Sequence, residues 1–362
     1  MRSNVFPTWL KWMLISAGLV SLIAVSSLVF LVAGVMSESL RDKPLNPASN
    51  NGGGTSAEVN GIKPVIVVEY DEIPITPISD EDTASIPIAE PLPTLTNRDR
   101  LTILLMGLDR RPNETYPTRT DTMILLSLDP ETNQASMLSI PRDLYVDIPG
   151  IGRERINAAY VLGALRNGGE AAGAQLAMDT VERNLGVHVD HYVLVDFNAV
   201  VNLIDAFGGL EINVEKTIDD PLYPDMNYGY DPLYIPAGQQ TLDGWTALKY
   251  MRTRHGDSDF DRARRQQKAM LALREQVLGV GVTGLARRVP TIWDEVKEGI
   301  FTDMSLNDIL ALVNAATELS AESINTGVID YTYAYSYQTS GGASVLILRT
   351  EEVATLIASL FD

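Results

Sequence analysis

Arginine and aspartate side chains gather at the ends of three short apolar runs. The runs are Leu101–Met106, Met123–Leu128 and Ala135–Ile140, and the charged residues that flank them are Asp109, Arg119, Asp121, Arg142 and Asp143. Ligands of α/β sheets bind where strands end and loops begin, so the set as a whole indicates one shared site. Exposed strand ends are also often charged, and this simpler explanation stays open for any single residue.

A second concentration of arginine lies within residues 250–267 and consists of Arg252, Arg254, Arg262, Arg264 and Arg265. The helix predicted here carries one stripe at helical spacing, formed by Arg262, Gln266, Met270, Leu273 and Val277. Its apolar part faces a core. We therefore expect Arg262 and Gln266 to point into a pocket, where the free N–H groups of a helix start also favour anions. The alternative, a basic solvent-exposed face, suits Arg264 but not Arg262.

Aspartates beside several arginines form a chemical set that suits phosphate. Carboxylates hold Mg²⁺ together with substrate phosphates, and guanidinium groups bind phosphate oxygens in pairs. Together they neutralise a pyrophosphate and the charge that develops during phosphoryl transfer. Aromatic residues make up only 7% of the chain, which argues against a carbohydrate-binding domain built on an aromatic platform.

The composition excludes several other kinds of site and partner. The formal net charge is -19 and the sequence pI is about 4.5, so we expect no nucleic acid partner, because a phosphate backbone needs a basic surface. The absence of cysteine excludes a thiol nucleophile and disulfides. No G-x-x-x-x-G-K, G-x-S-x-G or H-E-x-x-H motif occurs, and the three histidines are scattered, so a zinc site is not expected.

Apolar runs alternate with helical periodicities from Leu101 onward. Further strands are predicted at His191–Phe197, Leu210–Val214 and Ser344–Leu348. Helices are predicted at Asn157–Leu165, Glu170–Leu185, Ala199–Phe207, Thr241–Met251, Phe260–Leu278, Asn307–Leu319 and Glu351–Leu360. This alternation predicts the α/β class, as a layered α/β/α domain with a central mixed sheet.

The N-terminal part of the chain predicts a membrane anchor. Residues 13–36 contain no charge and are long enough to cross a bilayer, and Arg2, Trp9, Lys11 and Trp12 precede them. We expect residues 1–12 in the cytoplasm, 37–100 as a disordered extracytoplasmic linker rich in Pro, Asn and Gly, and 101–362 as the folded domain. A cleaved signal peptide is the alternative, although its apolar core would be shorter.

Four motifs, in order and spacing, resemble the LytR-CpsA-Psr family of bacterial cell-wall enzymes. They are Leu104-Leu-Met-Gly-Leu-Asp-Arg, Thr118-Arg-Thr-Asp-Thr-Met, Ser139-Ile-Pro-Arg-Asp, and Tyr250-Met-Arg-Thr-Arg continuing to Arg265-Gln-Gln. The resemblance covers about residues 101–278, and the predicted anchor and linker also match the usual layout of the family. One departure is Asp261, where the family has glycine, and a carboxylate beside Arg262 would weaken its hold on phosphate.

The resemblance implies a Mg²⁺-dependent phosphotransferase at the cell membrane, with a single span and an extracytoplasmic catalytic domain. Such enzymes move a glycopolymer from a polyprenyl-pyrophosphate carrier to peptidoglycan. The implied metal ligands are Asp109 and Asp121, the implied catalytic residues are Asp121, Arg119, Arg142 and Arg254, and the implied substrate-binding residues are Arg252, Arg262, Arg265 and Gln266. Hydrolysis of a lipid pyrophosphate and non-catalytic binding or regulation are the alternatives. Asp121 and Asp143 are both candidates for the general base.

Overall fold

The structure is a computed structural model. It describes residues 86–87, 89–92, 95, 100–108, 117–129, 131–225, 229–254, 258–305, 308, 312, 319–339 and 342–361. The predicted anchor, Asp109 and most of the predicted helix Asn307–Leu319 lie outside the described residues.

Strands and helices alternate along the described chain, as the sequence predicts. The strands are β1 (Leu101–Leu108), β2 (Thr120–Asp129), β3 (Gln134–Ser139), β4 (Tyr145–Ile148), β5 (Gly152–Arg155), β6 (His191–Asp196), β7 (Leu210–Val214), β8 (Ile218–Asp220), β9 (Leu233–Ile235), β10 (Gly238–Leu242), β11 (Ile300–Thr302), β12 (Ile324–Val328), β13 (Ala334–Gln338) and β14 (Ser344–Leu348). The helices are α1 (Ala158–Asn167), α2 (Glu170–Leu185), α3 (Phe197–Ala206), α4 (Gly244–Arg252), α5 (Asp259–Val296) and α6 (Thr350–Phe361).

Six of these strands form a central mixed sheet in the order β11-β6-β1-β2-β3-β12. β1 is antiparallel to β2 but parallel to β6, and β3 is antiparallel to β2 but parallel to β12. The end of β1, the start of β2, the end of β3 and the end of β6 therefore lie at one edge of the sheet. The predicted α/β class with a mixed sheet is confirmed.

The two faces of the sheet are covered by different helices, because successive strand residues point to opposite faces. Leu104, Met106 and Leu108 point into the large core that α1, α2 and α6 close. On the other face, Gln267 of α5 donates hydrogen bonds to Ser139 Oγ at 2.9 Å and to the carbonyl of Gly327 at 2.7 Å. The sheet is thus the middle layer of the domain, and α5 lies across the face that carries the site described below.

Residues upstream of position 101 also pack on the domain. The amide of Leu92 donates to the carbonyl of Asn184 at 3.2 Å, and that of Leu95 donates to the carbonyl of Gly186 at 2.9 Å. The side chains of Ile86 and Leu92 are buried in hydrophobic clusters. The last part of the predicted linker therefore contributes to the core. The boundaries predicted for the cytoplasmic N-terminus, the anchor and the rest of the linker stay predictions from the sequence.

Within the ranges that the structure describes, no helix combines the length and the hydropathy of a membrane span. The predicted anchor at residues 13–36 remains a prediction from the sequence.

The packing of Ile86 and Leu92 predicts where the domain tolerates truncation. We expect a chain that begins at residue 96 to be less stable to urea than one that begins at residue 76, by about 3 kcal/mol or more, because two buried aliphatic side chains are lost. A chain that begins at residue 85 keeps both side chains, so it should unfold at the same urea concentration as the chain that begins at residue 76. Equal unfolding midpoints for the starts at 76 and 96 would show that these contacts contribute nothing.

Candidate functional site

An open cleft of about 550 Å³ lies at the sheet edge where β1 ends and β2 begins. Gly107, Asp121, Thr122 and Arg142 line it from the strand ends, and Phe197 from the start of α3. Its other walls are residues of the β8–β9 connection (Leu222, Tyr223, Pro224 and Asp225), the end of β8 (Asp220), the end of α4 and the loop after it (Arg252, Thr253 and Arg254), and the first turns of α5 (Arg262 and Gln266). Ends of neighbouring strands meet here, as expected for a ligand site in an α/β fold.

Asp121 and Arg142 form the ion pair at the centre of the cleft. Arg142 Nη1 donates to Asp121 Oδ1 at 2.7 Å, and Arg254 Nη2 lies 3.8 Å from the other carboxylate oxygen. Burial alone raises the pKa of Asp121, but the guanidinium groups of Arg142, Arg262 and Arg254 outweigh it and hold the pKa below its ordinary value. Asp121 is therefore ionised across the neutral range.

Arg262 is the buried arginine of the cleft, with 7% of its surface exposed. Its Nη2 donates to the backbone carbonyl of Asp121 at 3.2 Å. Burial, together with the nearby charges of Arg254 and Arg142, lowers the pKa of Arg262 to about 10, although Asp259 and Asp121 oppose this shift. A positive charge therefore stays in a partly desolvated pocket at neutral pH, where an anion gains most from it.

Asp259 joins the arginines of the cleft, and sequence reasoning missed it. Its carboxylate lies 3.6 Å from Arg142 Nε, 3.2 Å from Arg254 Nε and 3.6 Å from Arg262 Nη1. It is the first residue of α5, behind the N-cap Ser258, and a carboxylate at that position also interacts favourably with the helix dipole. The sequence does contain a signal for this position, because a serine followed by acidic residues is typical of a helix start.

Asp261, the departure from the family pattern, faces away from Arg262. Its Oδ2 accepts hydrogen bonds from Ser258 Oγ at 2.6 Å and from the Ser258 amide at 3.0 Å, which completes a capping box. Its Oδ1 accepts from Arg264 Nη1 at 3.2 Å. The expectation that this carboxylate would weaken Arg262 is therefore wrong: it caps the helix and pairs with the exposed arginine.

The other predicted residues fall into two groups. Arg252, Arg254 and Gln266 line the cleft, and the guanidinium of Arg252 lies 4.1 Å from the centre of the Phe197 ring. Arg265 and Arg119 are not among the residues that line it. Arg265 donates instead to the backbone carbonyls of Tyr250 and Thr253, so it positions the segment that carries Arg252 and Arg254.

The predicted metal ligands are only partly visible. Asp109 lies outside the described residues, and within the described part of the chain no group of three or more metal-binding side chains is placed to hold an ion. Asp121 presents a carboxylate in the cleft. This fits Mg²⁺, which is usually bound by one or two carboxylates together with water and substrate phosphates.

A smaller, apolar cavity of about 200 Å³ lies further along the same face of the sheet. Ile103, Leu126 and Met137 line it from the strands, and Met270 lines it from α5. On β1, Gly107 lines the cleft and Ile103 lines the cavity. They are four residues apart, an even number, so they lie on the same face of the sheet. On α5, Gln266 of the cleft and Met270 of the cavity are one turn apart. The predicted stripe therefore links the cleft to the cavity only as far as Met270, because Leu273 packs instead against the hydrophobic cluster that contains Ile204 and Leu210.

The family model described as the LytR_cpsA_psr family matches residues 76–361. The chain belongs to the LytR-CpsA-Psr family. The match begins upstream of residue 101, in agreement with the packing of Ile86 and Leu92, and it confirms the resemblance drawn from the four motifs.

Two relatives show how far the similarity extends. The chain is 33% identical over 219 residues to a polyisoprenyl-teichoic acid–peptidoglycan teichoic acid transferase TagU of Enterococcus faecalis, covering 59% of this chain and 65% of the relative. It is 34% identical over 185 residues to a regulatory protein MsrR of Staphylococcus aureus, covering 50% of each. The matched segment thus spans less than two thirds of the length of these relatives.

Solved structures of related proteins share the fold. A structure of TagT bound to LI-WTA is similar with a TM-score of 0.56 and 27% identity, over 73% of this chain and 90% of that one. The crystal structure of Bacillus subtilis TagV is similar with a TM-score of 0.58 and 26% identity, over 73% of this chain and 97% of that one. The shared fold thus extends over nearly three quarters of the chain.

Proposed function

We propose that the protein is a phosphotransferase that moves a glycopolymer from a polyprenyl-pyrophosphate carrier to peptidoglycan. The observation that carries the proposal is the convergence of Arg142, Arg254 and Arg262 on Asp121 in one cleft. The names of the relatives TagU and TagT support cell-wall glycopolymer transfer in general. The carrier, the polymer and the acceptor belong to the proposal.

The ion pairs of the cleft explain how it would accept a pyrophosphate. Asp259 forms ion pairs with Arg142, Arg254 and Arg262 at 3.2–3.6 Å. Phosphate oxygens make the same charge-assisted hydrogen bonds to guanidinium groups, with more acceptor atoms and more charge. A pyrophosphate would therefore compete with the carboxylate for these arginines, and the charge that develops during transfer would meet groups already held in place.

The apolar cavity beside the cleft suits the carrier lipid. A polyprenyl chain that continued from the phosphates along the stripe would pass Gln266 and reach Met270, Leu126 and Met137. Burial of such a chain stabilises binding by about 0.8 kcal/mol for each CH₂, before the cost of ordering it. A polar cleft with an apolar cavity further along the same face of the sheet supports a lipid-linked pyrophosphate rather than a free nucleotide as the ligand.

The reaction requires an acceptor hydroxyl and a group that takes its proton. The hydroxyl oxygen would bond to the phosphorus that carries the saccharide, and the bond from that phosphorus to the bridging oxygen would break. Polyprenyl monophosphate would leave, and the proton would pass to a base. The guanidinium groups that hold the pKa of Asp121 below its ordinary value favour its carboxylate form, which is the form that binds a metal, so we assign Asp121 to Mg²⁺. Asp143 is the second candidate for the base; it pairs with Arg142 and Arg155 at 3.6 Å and is not among the residues that line the cleft.

Mg²⁺ would be held by Asp121, and by Asp109 as the family resemblance implies. When bound, the ion supplies positive charge to phosphate oxygens that the arginines do not reach. We also propose that residues 13–36 anchor the chain in the cell membrane with the domain outside. This arrangement would bring the cleft to lipid-linked donors.

Product analysis tests the proposal. The full-length protein would be incubated with Mg²⁺, a synthetic polyprenyl-pyrophosphate-linked saccharide and peptidoglycan fragments, and the products identified by mass spectrometry. A saccharide phosphate joined to the fragment, with release of polyprenyl monophosphate, is the expected result. Free saccharide phosphate alone would identify a hydrolase. An intact donor, under conditions where the donor binds, would indicate a binding or regulatory protein.

A substitution that fills the apolar cavity should show whether the cavity binds the lipid chain of the donor. We expect Met270→Trp to raise the KM for a long-chain polyprenyl donor by about tenfold or more, because the cavity no longer accepts several methylene groups. A donor with a single isoprene unit should be unaffected. The measurement is KM as a function of chain length. An equal change for both donors would mean that the tail lies elsewhere.

A further inference from the structure

Aromatic residues make up only 7% of the chain, but tyrosine is concentrated locally in the β8–β9 connection and in β9 itself. Tyr223, Tyr228, Tyr230 and Tyr234 lie within twelve residues of a chain that has 14 tyrosines in all. The tetrapeptide Asp-Pro-Leu-Tyr also occurs twice here, at residues 220–223 and 231–234. The exposed side chains of Tyr230 and Tyr234 have no part in the phosphate chemistry proposed above.

The two copies of the tetrapeptide have opposite patterns of burial. In the first copy, Tyr223 is 4% exposed and its hydroxyl accepts a hydrogen bond from Arg252 at 3.2 Å, whereas Leu222 is 55% exposed. In the second copy, Leu233 is 4% exposed and Tyr234 is 68% exposed. The first copy therefore holds the cleft arginine, and the second copy offers its aromatic ring to the solvent.

Tyr230 adds a second exposed ring. It is 68% exposed and lies four residues before Tyr234, just ahead of β9. Tyr230 also forms a β-bridge with Pro224, which lines the cleft. Together with Leu222, these rings make an exposed aromatic surface that begins at the rim of the cleft.

We propose that this surface, Leu222, Tyr230 and Tyr234, binds the saccharide acceptor. The inference rests on the proposed function, because the acceptor hydroxyl has to enter the cleft from its rim. Tyrosine rings provide rigid, amphipathic contact area at low entropic cost. They suit an oligosaccharide, which presents apolar ring faces together with hydroxyl groups.

The charges around the surface favour an uncharged glycan over a phospholipid bilayer or an anionic polymer. Residues 218–235 contain four aspartates and no lysine or arginine. Asp219, the cross-strand partner of Tyr234, is exposed, and a carboxylate accepts hydrogen bonds from sugar hydroxyls. Asp231 pairs with Lys249 of α4. Anionic lipids and the phosphate groups of a donor polymer would be repelled.

The proposal can be tested by calorimetric titration of the full-length protein with an N-acetylated tetrasaccharide that carries no peptide stems. Replacing both Tyr230 and Tyr234 by alanine should weaken binding by about tenfold or more. Replacing both by phenylalanine should preserve it, because the ring surface remains. Leu165→Ala, which removes an exposed apolar side chain on α1, serves as the control. The KM for the lipid-linked donor and its hydrolysis by water should not change.

Other outcomes are decisive as well. Equal tetrasaccharide affinity of the wild type and the alanine pair would overturn the proposal, and so would a raised donor KM, which would assign the surface to the donor. If the wild type releases no polyprenyl monophosphate, the proposed function fails, whereas the calorimetric comparison still decides the binding surface.

Discussion

Replacing Arg262 by alanine should lower kcat/KM for a lipid-linked donor by about 10²–10³-fold, as expected when one donor to a developing oxyanion is removed. Arg262 is buried among Asp121, Asp259, Arg142 and Arg254, so water does not replace its charge well. Lysine should restore little activity, because a compact ammonium does not reproduce the planar pair of donors. The measurement is the rate of polyprenyl monophosphate release at several donor concentrations.

Arg264→Ala is the matched control for this substitution. Arg264 lies on the same turn of α5, but its side chain is 50% exposed and pairs with Asp261 and Asp330. We expect activity within about twofold of the wild type, since exposed ion pairs contribute little. An equal loss in both variants would mean that the helix start, rather than the guanidinium in the cleft, is what the reaction needs.

Replacing Asp121 by alanine should abolish turnover, with a loss of about 10³-fold or more, while the domain stays folded. Asp121 is the carboxylate on which Arg142 and Arg254 converge, and in our account it also holds the ion that neutralises the donor phosphates. The rate should be measured at increasing Mg²⁺ concentration, with circular dichroism as the check on folding. Because the loss comes from chemistry rather than unfolding, the spectrum should be unchanged.

Asp121→Asn separates a metal ligand from a proton acceptor. If Asp121 holds Mg²⁺, the asparagine variant keeps one oxygen ligand, and high Mg²⁺ should recover part of the rate. If Asp121 is the base, no Mg²⁺ concentration restores activity, and Asp143→Asn should have little effect. Wild-type rates in the alanine variant at ordinary Mg²⁺ would contradict both roles.

Two rules applied to the sequence located most of the cleft. Charged residues at strand ends meet because neighbouring strands end at one sheet edge, which brought Asp121 and Arg142 together. A helical stripe that changes from apolar to polar placed Arg262 and Gln266 in the cleft, and Met270 in the adjoining cavity. The second rule depends on backbone periodicity alone, whereas the first also requires that the strands pair as neighbours, as β1, β2 and β3 do in the central sheet.

Features that depend on tertiary contacts escaped prediction. The short strands β8 and β9 contain three residues each, too few to show an alternating pattern. Thr241 and Leu242, predicted as the start of a helix, belong to β10, because Asp243 caps α4 and its side chain accepts from the Thr246 amide at 2.7 Å. Arg265 lies beside cleft residues in sequence, yet its partners are backbone carbonyls that only the fold brings near.

The most direct test of the account is a crystal structure of the protein with a short-chain polyprenyl-pyrophosphate-linked saccharide and Mg²⁺. We expect phosphate oxygens within hydrogen-bonding distance of Arg142, Arg254 and Arg262, with Asp259 displaced from at least one of these arginines. The isoprenoid chain should pass Gln266 and end against Met270. A pyrophosphate bound away from these arginines, or a lipid chain outside the cavity beside α5, would contradict the assignment of the cleft as the donor site.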